Sequence, residues 1–280
     1  MSLFVHSLSA LDLSWWCSER GLAGASWHVD LLLNGELSED GMLFDFGEVK
    51  PWAKHHIDNT LDHTLLVPTQ MAGVSVTECR EGLCVRFSSP WPMEIRAPRQ
   101  AFTLLPWQVI TTDRIGRYLS EQLMKRPPTR VTNIQLSLRE EPIPEGFGYS
   151  YSHGLKQHAG NCQRIAHGHR SRLYIWRDGE LDEALIRHWC DRLADRYLVD
   201  KEDCIGAEDT DTLSLAYDAP QGHFRMTLPH QRTVTLPTTT TVELIAQWIA
   251  NETALMHSGR IRVQAFEGIG KGAIAEAQHP

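Results

Sequence analysis

The chain repeats itself. Thr111-Thr-Asp-Arg-Ile-Gly-Arg-Tyr-Leu119 parallels Thr240-Thr-Val-Glu-Leu-Ile-Ala-Gln-Trp248, and Val131-Thr-Asn-Ile-Gln-Leu136 parallels Arg260-Ile-Arg-Val-Gln-Ala265, both at an offset of 129 residues. An earlier pair, Leu31 to Glu39 and Tyr174 to Glu183, shares a Gly-Glu-Leu turn. Matches in register over such a distance point to a duplicated supersecondary unit. Pro, Gly and Glu concentrate near 142–145, which sets the expected boundary: a first unit over 1–142 and a second over 143–280.

Each unit reads as strand, strand, helix, strands, helix, strand, an α+β arrangement. In the first, Leu3 to Leu11 and Ser26 to Leu33 have strand character. A helix ends before Asp58, short strands fill 69–107, an N-capped helix starts at Thr111, and Val131 to Leu138 is a strand. In the second, one strand reaches His153 and another runs from His167 to Trp176. A helix is expected from Leu181 to Tyr197, because Leu181, Leu185, Trp189 and Leu193 make one apolar stripe. Leu213 to Tyr217 and Phe224 to Leu228 pair, Thr239 to Glu243 opens a helix, and Ile261 to Phe266 is the last strand expected.

Chemistry concentrates between His153 and His169. His167 and His169 share a face of a strand, because side chains alternate with period two. A hairpin with the Tyr149-Ser-Tyr-Ser-His153 strand brings His153 beside them. Three imidazoles without a fourth protein ligand is the donor set of a catalytic zinc, which keeps one position open. With 14 His in the chain, three unrelated surface histidines are the alternative. The net charge of -8, with no run of Lys and Arg, argues against nucleic-acid binding. Six scattered cysteines fit reduced thiols in a cytoplasmic protein. The N-terminus has no basic n-region of a signal peptide, and no apolar run is long enough to span a membrane.

Three stretches in order resemble the 6-pyruvoyltetrahydropterin synthase / 6-carboxytetrahydropterin synthase family. They are Cys162 followed by His167-Gly168-His169 with His153 upstream; Gly41-Met-Leu-Phe-Asp-Phe-Gly-Glu-Val-Lys50 followed by Leu61-Asp62-His63; and Thr240-Thr241-Val-Glu243 opening a helix before a strand ending at Glu267. The resemblance implies the tunnelling fold in each unit: a four-stranded antiparallel sheet with two helices on one face, closed into a barrel by oligomerisation. It implies Zn2+ on His153, His167 and His169, Cys162 as general base, and Asp62-His63 as a second acid/base. A free thiol near about pKa 8.5 is a poor base at neutral pH unless a cation stands near. Adjacent residues of an extended segment point apart, so the Asp62-His63 dyad needs a bend after Leu61. Glu267 is the implied anchor of the pterin edge, Glu140 its equivalent in the first unit, and Thr240 and Thr241, or Thr111 and Thr112, line the same edge. Lys156, Arg164 and Arg170 are the cations near in sequence for a triphosphate.

In this alignment the first unit has Ala23-Gly24-Ala25 in place of His-Gly-His, and Asp12 in place of the upstream His. The second unit lacks an Asp-His pair and reads Val199-Asp-Lys-Glu-Asp-Cys204 there. Complementary loss suits a site formed between units. The implied activity is a zinc-dependent carbon–oxygen lyase. It converts 7,8-dihydroneopterin triphosphate to 6-carboxy-5,6,7,8-tetrahydropterin, on the queuosine (7-deazaguanine) pathway. The alternatives are the pyruvoyl product, a non-catalytic pterin- or purine-binding protein, and a side-chain-cleaving folate-type variant; retained Cys162 and Asp62-His63 argue against the last two.

Overall fold

The computed structural model describes Met1–Gly206 and Asp211–His279. A long hairpin, Ser2–Cys17 with Gly21–Gly35, opens the first repeat, and Val131–Glu140 pairs antiparallel with its second strand. Helix α1 (Phe46–Thr60) starts on Asp45, whose carboxylate accepts from the Gly47 N–H, and α2 (Thr112–Met124) starts on the Thr111 hydroxyl. Both pack on one face of this sheet through Val49, Ala53, Ile57, Ile115, Leu119 and Leu123. The second repeat pairs Gly148–His153, His167–Arg177, Arg260–Phe266 and Gly272–Gln278 antiparallel. Helices α3 (Glu183–Leu193) and α4 (Val242–Met256) cover it. Trp189 and Trp248 meet edge to face at 5.1 Å in that core, and the Trp189 indole N–H donates to Thr253.

The two tandem α+β repeats differ from the expected plain four-stranded units. Each sheet gains two parallel strands after its first helix, Leu65–Pro68 and Phe102–Leu105 in the first, Arg196–Asp200 and Thr233–Leu236 in the second. The helix expected through Tyr197 therefore ends at Leu193. Its last apolar residues, Tyr197 to Val199, belong to a strand buried on both faces, whose continuous apolar run imitates a helix stripe. The first repeat also lacks a fourth antiparallel strand among the described residues. Only seven residues, two of them proline, separate Glu140 from Gly148, too few to reverse and add one. Helix α2 covers the exposed edge instead. The Ser120 hydroxyl accepts from the outward Leu136 N–H, and a Cβ at Gly116 would lie 2.7 Å from the Leu136 carbonyl oxygen, so only glycine lets the helix sit there.

A third sheet joins the repeats. Val74–Cys79, Gly82–Phe87 and Met93–Ala97 come from the first; Cys204–Ile205, Thr212–Ala219 and Gly222–Pro229 come from the second. They meet where Arg225, Met226 and Thr227 pair with Arg96, Ile95 and Glu94. Its core includes Trp16 and Leu22 of one repeat and Ile165, Tyr197 and Val199 of the other. The two main sheets also touch, by the faces turned away from their helices. Ser14 Oγ lies 2.7 Å from Ser152 Oγ, and a Cβ on Gly168 would fall 2.8 Å from the Gly24 Cα. Ser14 is paired with Gly24 as Ser152 is with Gly168. A pseudo-twofold axis therefore runs through these four residues.

Candidate active site

The axis gives the correspondence between repeats, and corrects two expectations. Ala23, Gly24 and Ala25 do match His167, Gly168 and His169, but the residue opposite Ala23 is Trp15, as His153 is opposite His167. Trp15, not Asp12, stands where the upstream histidine would be. Methyl groups stand at two of the histidine positions and an indole at the third. The counterpart of Asp62-His63 is Ala194-Asp195, not 199–204: Leu65 and Tyr197 pair with equivalent positions, and His63 and Asp195 share the left-handed conformation (φ 57 and 52). Asp195 is tied to Arg20 at 3.2 Å. The pair of repeats therefore holds one complete constellation and one that has lost both its histidines and its dyad.

In the complete one, His153, His167 and His169 are fully buried and offer ligand atoms within 4.8 Å of one another. His153 Nδ1 lies 2.9 Å from the Thr240 carbonyl oxygen and 3.1 Å from its hydroxyl; His167 Nδ1 lies 3.1 Å from the Arg164 carbonyl oxygen. His169 Nδ1 is 3.2 Å from Asp12 Oδ1, at ion-pair distance though not aligned as a hydrogen bond. All three Nε2 atoms are buried with no hydrogen-bond partner among the described residues. An orphaned buried nitrogen is costly, and three converging ones fit a metal ion. Burial, with the neighbouring imidazoles, holds His153 and His167 well below the usual histidine range, so they are neutral as ligands must be.

The dyad comes from the first repeat and meets this cluster. The chain bends after Leu61, His63 Nδ1 lies 2.7 Å from Asp62 Oδ2, and the His63 ring is 5.3 Å from that of His167. Burial opposes its charge, but the Asp62 carboxylate and Cys162 outweigh it, and the His63 imidazole is pushed up to about 10. The two groups thus form a charged pair with a thiol beside it. Cys162 sits on a short turn, Asn161–Gln163, held by the third sheet. Gln221 donates to Asn161 and to buried Gln163, Tyr217 donates to the Gln163 carbonyl, and Tyr197 to that of Ile165. Arg164 reaches back to the Asp62 carbonyl at 3.3 Å.

The remaining residues divide. Glu267, at the strand end, lies 3.8 Å from Lys271, which also approaches Asp12 at 3.3 Å. Burial works against the Lys271 ammonium, yet Asp12 and Glu267 keep it charged. Thr240 is buried with its hydroxyl on His153, and the Thr241 hydroxyl caps α4 by accepting from the Leu244 N–H, so neither is turned to an open edge. Thr111 likewise caps α2, and Thr112 is that helix's first residue. Glu140 is exposed, 3.4 Å from Arg170. Lys156 is surrounded by Asp200, Glu202 and Asp203, which leaves Arg164 as the cation beside the dyad. Lys271 and Gln221 escaped sequence reading; both lie in hairpin turns whose placement depends on pairing far along the chain.

The family profile described as 6-pyruvoyl tetrahydropterin synthase matches the chain twice, over residues 16–145 and 142–278. A protein of Pyrococcus abyssi named "Putative 6-carboxy-5,6,7,8-tetrahydropterin synthase" is 24% identical over 136 residues, 47% of this chain and 76% of the relative. One of the same name from Pyrococcus horikoshii is 21% identical over 132 residues, with the same coverage. The crystal structure of the Plasmodium vivax 6-pyruvoyl tetrahydropterin synthase covers 51% of this chain and 92% of its own, at 21% identity and a TM-score of 0.43.

Proposed function

Because the chain belongs to the 6-pyruvoyl tetrahydropterin synthase family, we propose that its complete constellation is a zinc site that turns 7,8-dihydroneopterin triphosphate into 6-carboxy-5,6,7,8-tetrahydropterin. The observation that carries this is the meeting of His63 with Cys162 and His167 across the two repeats. Neither repeat holds the whole set, taking the units as 1–142 and 143–280. The names of the Pyrococcus relatives favour the carboxy product.

His153, His167 and His169 would hold the ion, which as a Lewis acid would acidify the substrate's side-chain hydroxyls and the adjoining C–H. Cys162 takes the proton from that carbon. His63, charged and braced by Asp62, would be the proton donor beside that thiol. The Glu267 carboxylate accepts two neighbouring N–H groups of the pterin's pyrimidine edge. Thr240 and Thr241 act at one remove, by holding His153 and starting α4. A homo-oligomer would close the barrel.

The test is incubation with 7,8-dihydroneopterin triphosphate, with and without a zinc chelator, followed by mass spectrometry. Chelator-sensitive 6-carboxytetrahydropterin with acetaldehyde is expected. A pyruvoyl product would keep the site and change the product; unchanged substrate from zinc-loaded protein would refute the proposal.

A further inference from the structure

We propose that Asp12, contributed by the repeat without a histidine cluster, is a positioning residue that orients His169 for the metal and joins it to the Asp62-His63 dyad. Each polar group of this one residue is engaged. Its N–H donates to Asp62 Oδ1 at 3.0 Å, and its carbonyl accepts from the His63 N–H at 2.8 Å. Its side chain crosses to the second repeat, with Oδ1 3.2 Å from His169 Nδ1 and Oδ2 3.3 Å from Lys271 Nζ. The Ser26 hydroxyl donates to Oδ1 at 2.5 Å and in turn accepts from the Arg170 N–H at 3.1 Å. The Gly268 turn (φ 70) lies so close that a Cβ there would overlap Oδ1.

These contacts answer a specific need. A histidine that ligates through Nε2 requires its Nδ1–H directed at an acceptor, or the ring turns and the tautomer is lost. His153 and His167 find backbone carbonyls within their own repeat, from Thr240 and Arg164. Among the described residues His169 has no such carbonyl, and the acceptor beside it is the Asp12 carboxylate. The Asp12 side chain is 5% exposed, and its carboxylate can stay charged there because a cation and a hydroxyl face it as well. The pseudo-twofold counterpart of Asp12 is Ser150 and that of His169 is Ala25, so on that side there is no imidazole to orient. The carboxylate is thus present on the side of the axis that needs it.

This inference rests on the metal reading of the histidine cluster, and its test is binding rather than turnover. The zinc dissociation constant is measured by chelator competition for the full chain and for Asp12→Asn, together with the melting temperature of each metal-free protein. The substitution is expected to weaken zinc about 10–100-fold and to shift the visible absorption of the cobalt-loaded protein. Because the dyad is held by the Asp12 backbone, Asp62 and His63 stay in place. Should Asp12→Asn not fold, Ser26→Ala removes the hydroxyl that fixes Oδ1 and is expected to weaken zinc in the same direction. Unchanged zinc affinity in the folded variant overturns the inference, even if turnover falls. A wild-type chain that binds no zinc overturns it along with the metal reading, whereas tight zinc binding without pterin turnover removes only the proposed reaction.

Discussion

Gly24→Ala probes the contact on which the site depends. Gly24 lies where the two main sheets cross, outside the left-handed region, so space alone decides the outcome. A methyl there would overlap the Tyr151 carbonyl oxygen and fall 2.6 Å from the His169 oxygen and 2.7 Å from its nitrogen. All three are backbone atoms of the strands carrying the ligands, and backbone cannot swing aside as a side chain does. The cost therefore belongs at the top of the range for overpacking, about 3 kcal/mol. For a chain of this size that lowers the melting temperature by about 6–12 °C. Zinc affinity should fall too, because relief of the clash moves His169. The control is Gly47→Ala in the first turn of α1, where the new methyl meets only Asp45, at 3.1 Å, and stability should hold or rise. Thermal denaturation by circular dichroism, with zinc titration, reads both. A Gly24→Ala protein that melts within about 1 °C of the parent would show that the sheets do not pack through this glycine pair, and the juxtaposition of dyad and histidines would fall with it.

Cys162→Ala should lower turnover by at least about 100-fold, the share of a general base, while zinc content stays unchanged; equal turnover would remove the thiol from the mechanism. His63→Gln should destabilise in a pH-dependent way. The folded pKa is raised from 6.5 to about 10, so the stabilisation is full below pH 6.5 and is lost as pH rises through 10. The gap in melting temperature between parent and variant should accordingly be widest near the low end and close at the high end; a gap that grows with pH would contradict the charged-pair reading.

The histidine cluster was legible because a strand's period of two is local: His167 and His169 face one way whatever the rest of the chain does. The duplication was legible from its in-register matches, and the Asp62-His63 pair from the family resemblance of the stretch that holds it. The register between repeats was not. Trp15 shares nothing with His153 as text, and only the pairing of Ser14 with Gly24 and Ser152 with Gly168 places it there. The role of Asp12 was hidden for the same reason, since it acts on a histidine 157 residues away across an axis that no local pattern records. Gly272–Gln278, rich in alanine, carries little strand propensity, and pairing with Arg260–Phe266 under α4 is what makes it a strand. The short strands within 69–107 were visible as pieces, but nothing nearby says that Met93–Ala97 will lie beside Gly222–Pro229.

That last pairing bears on how a ligand would reach the cluster. A cleft between two lobes usually admits its ligand by hinging, and the complete constellation lies between two repeats. Here, though, the repeats are laced by a ladder from Glu94–Arg96 to Arg225–Thr227 and by a shared apolar core beneath it. Parting them would shear that ladder and wet the core, a cost on the scale of unfolding rather than of breathing. A ligand of the cluster would then enter and leave past small parts at the rim, such as the turn in which the Glu267 N–H donates to the Lys271 carbonyl.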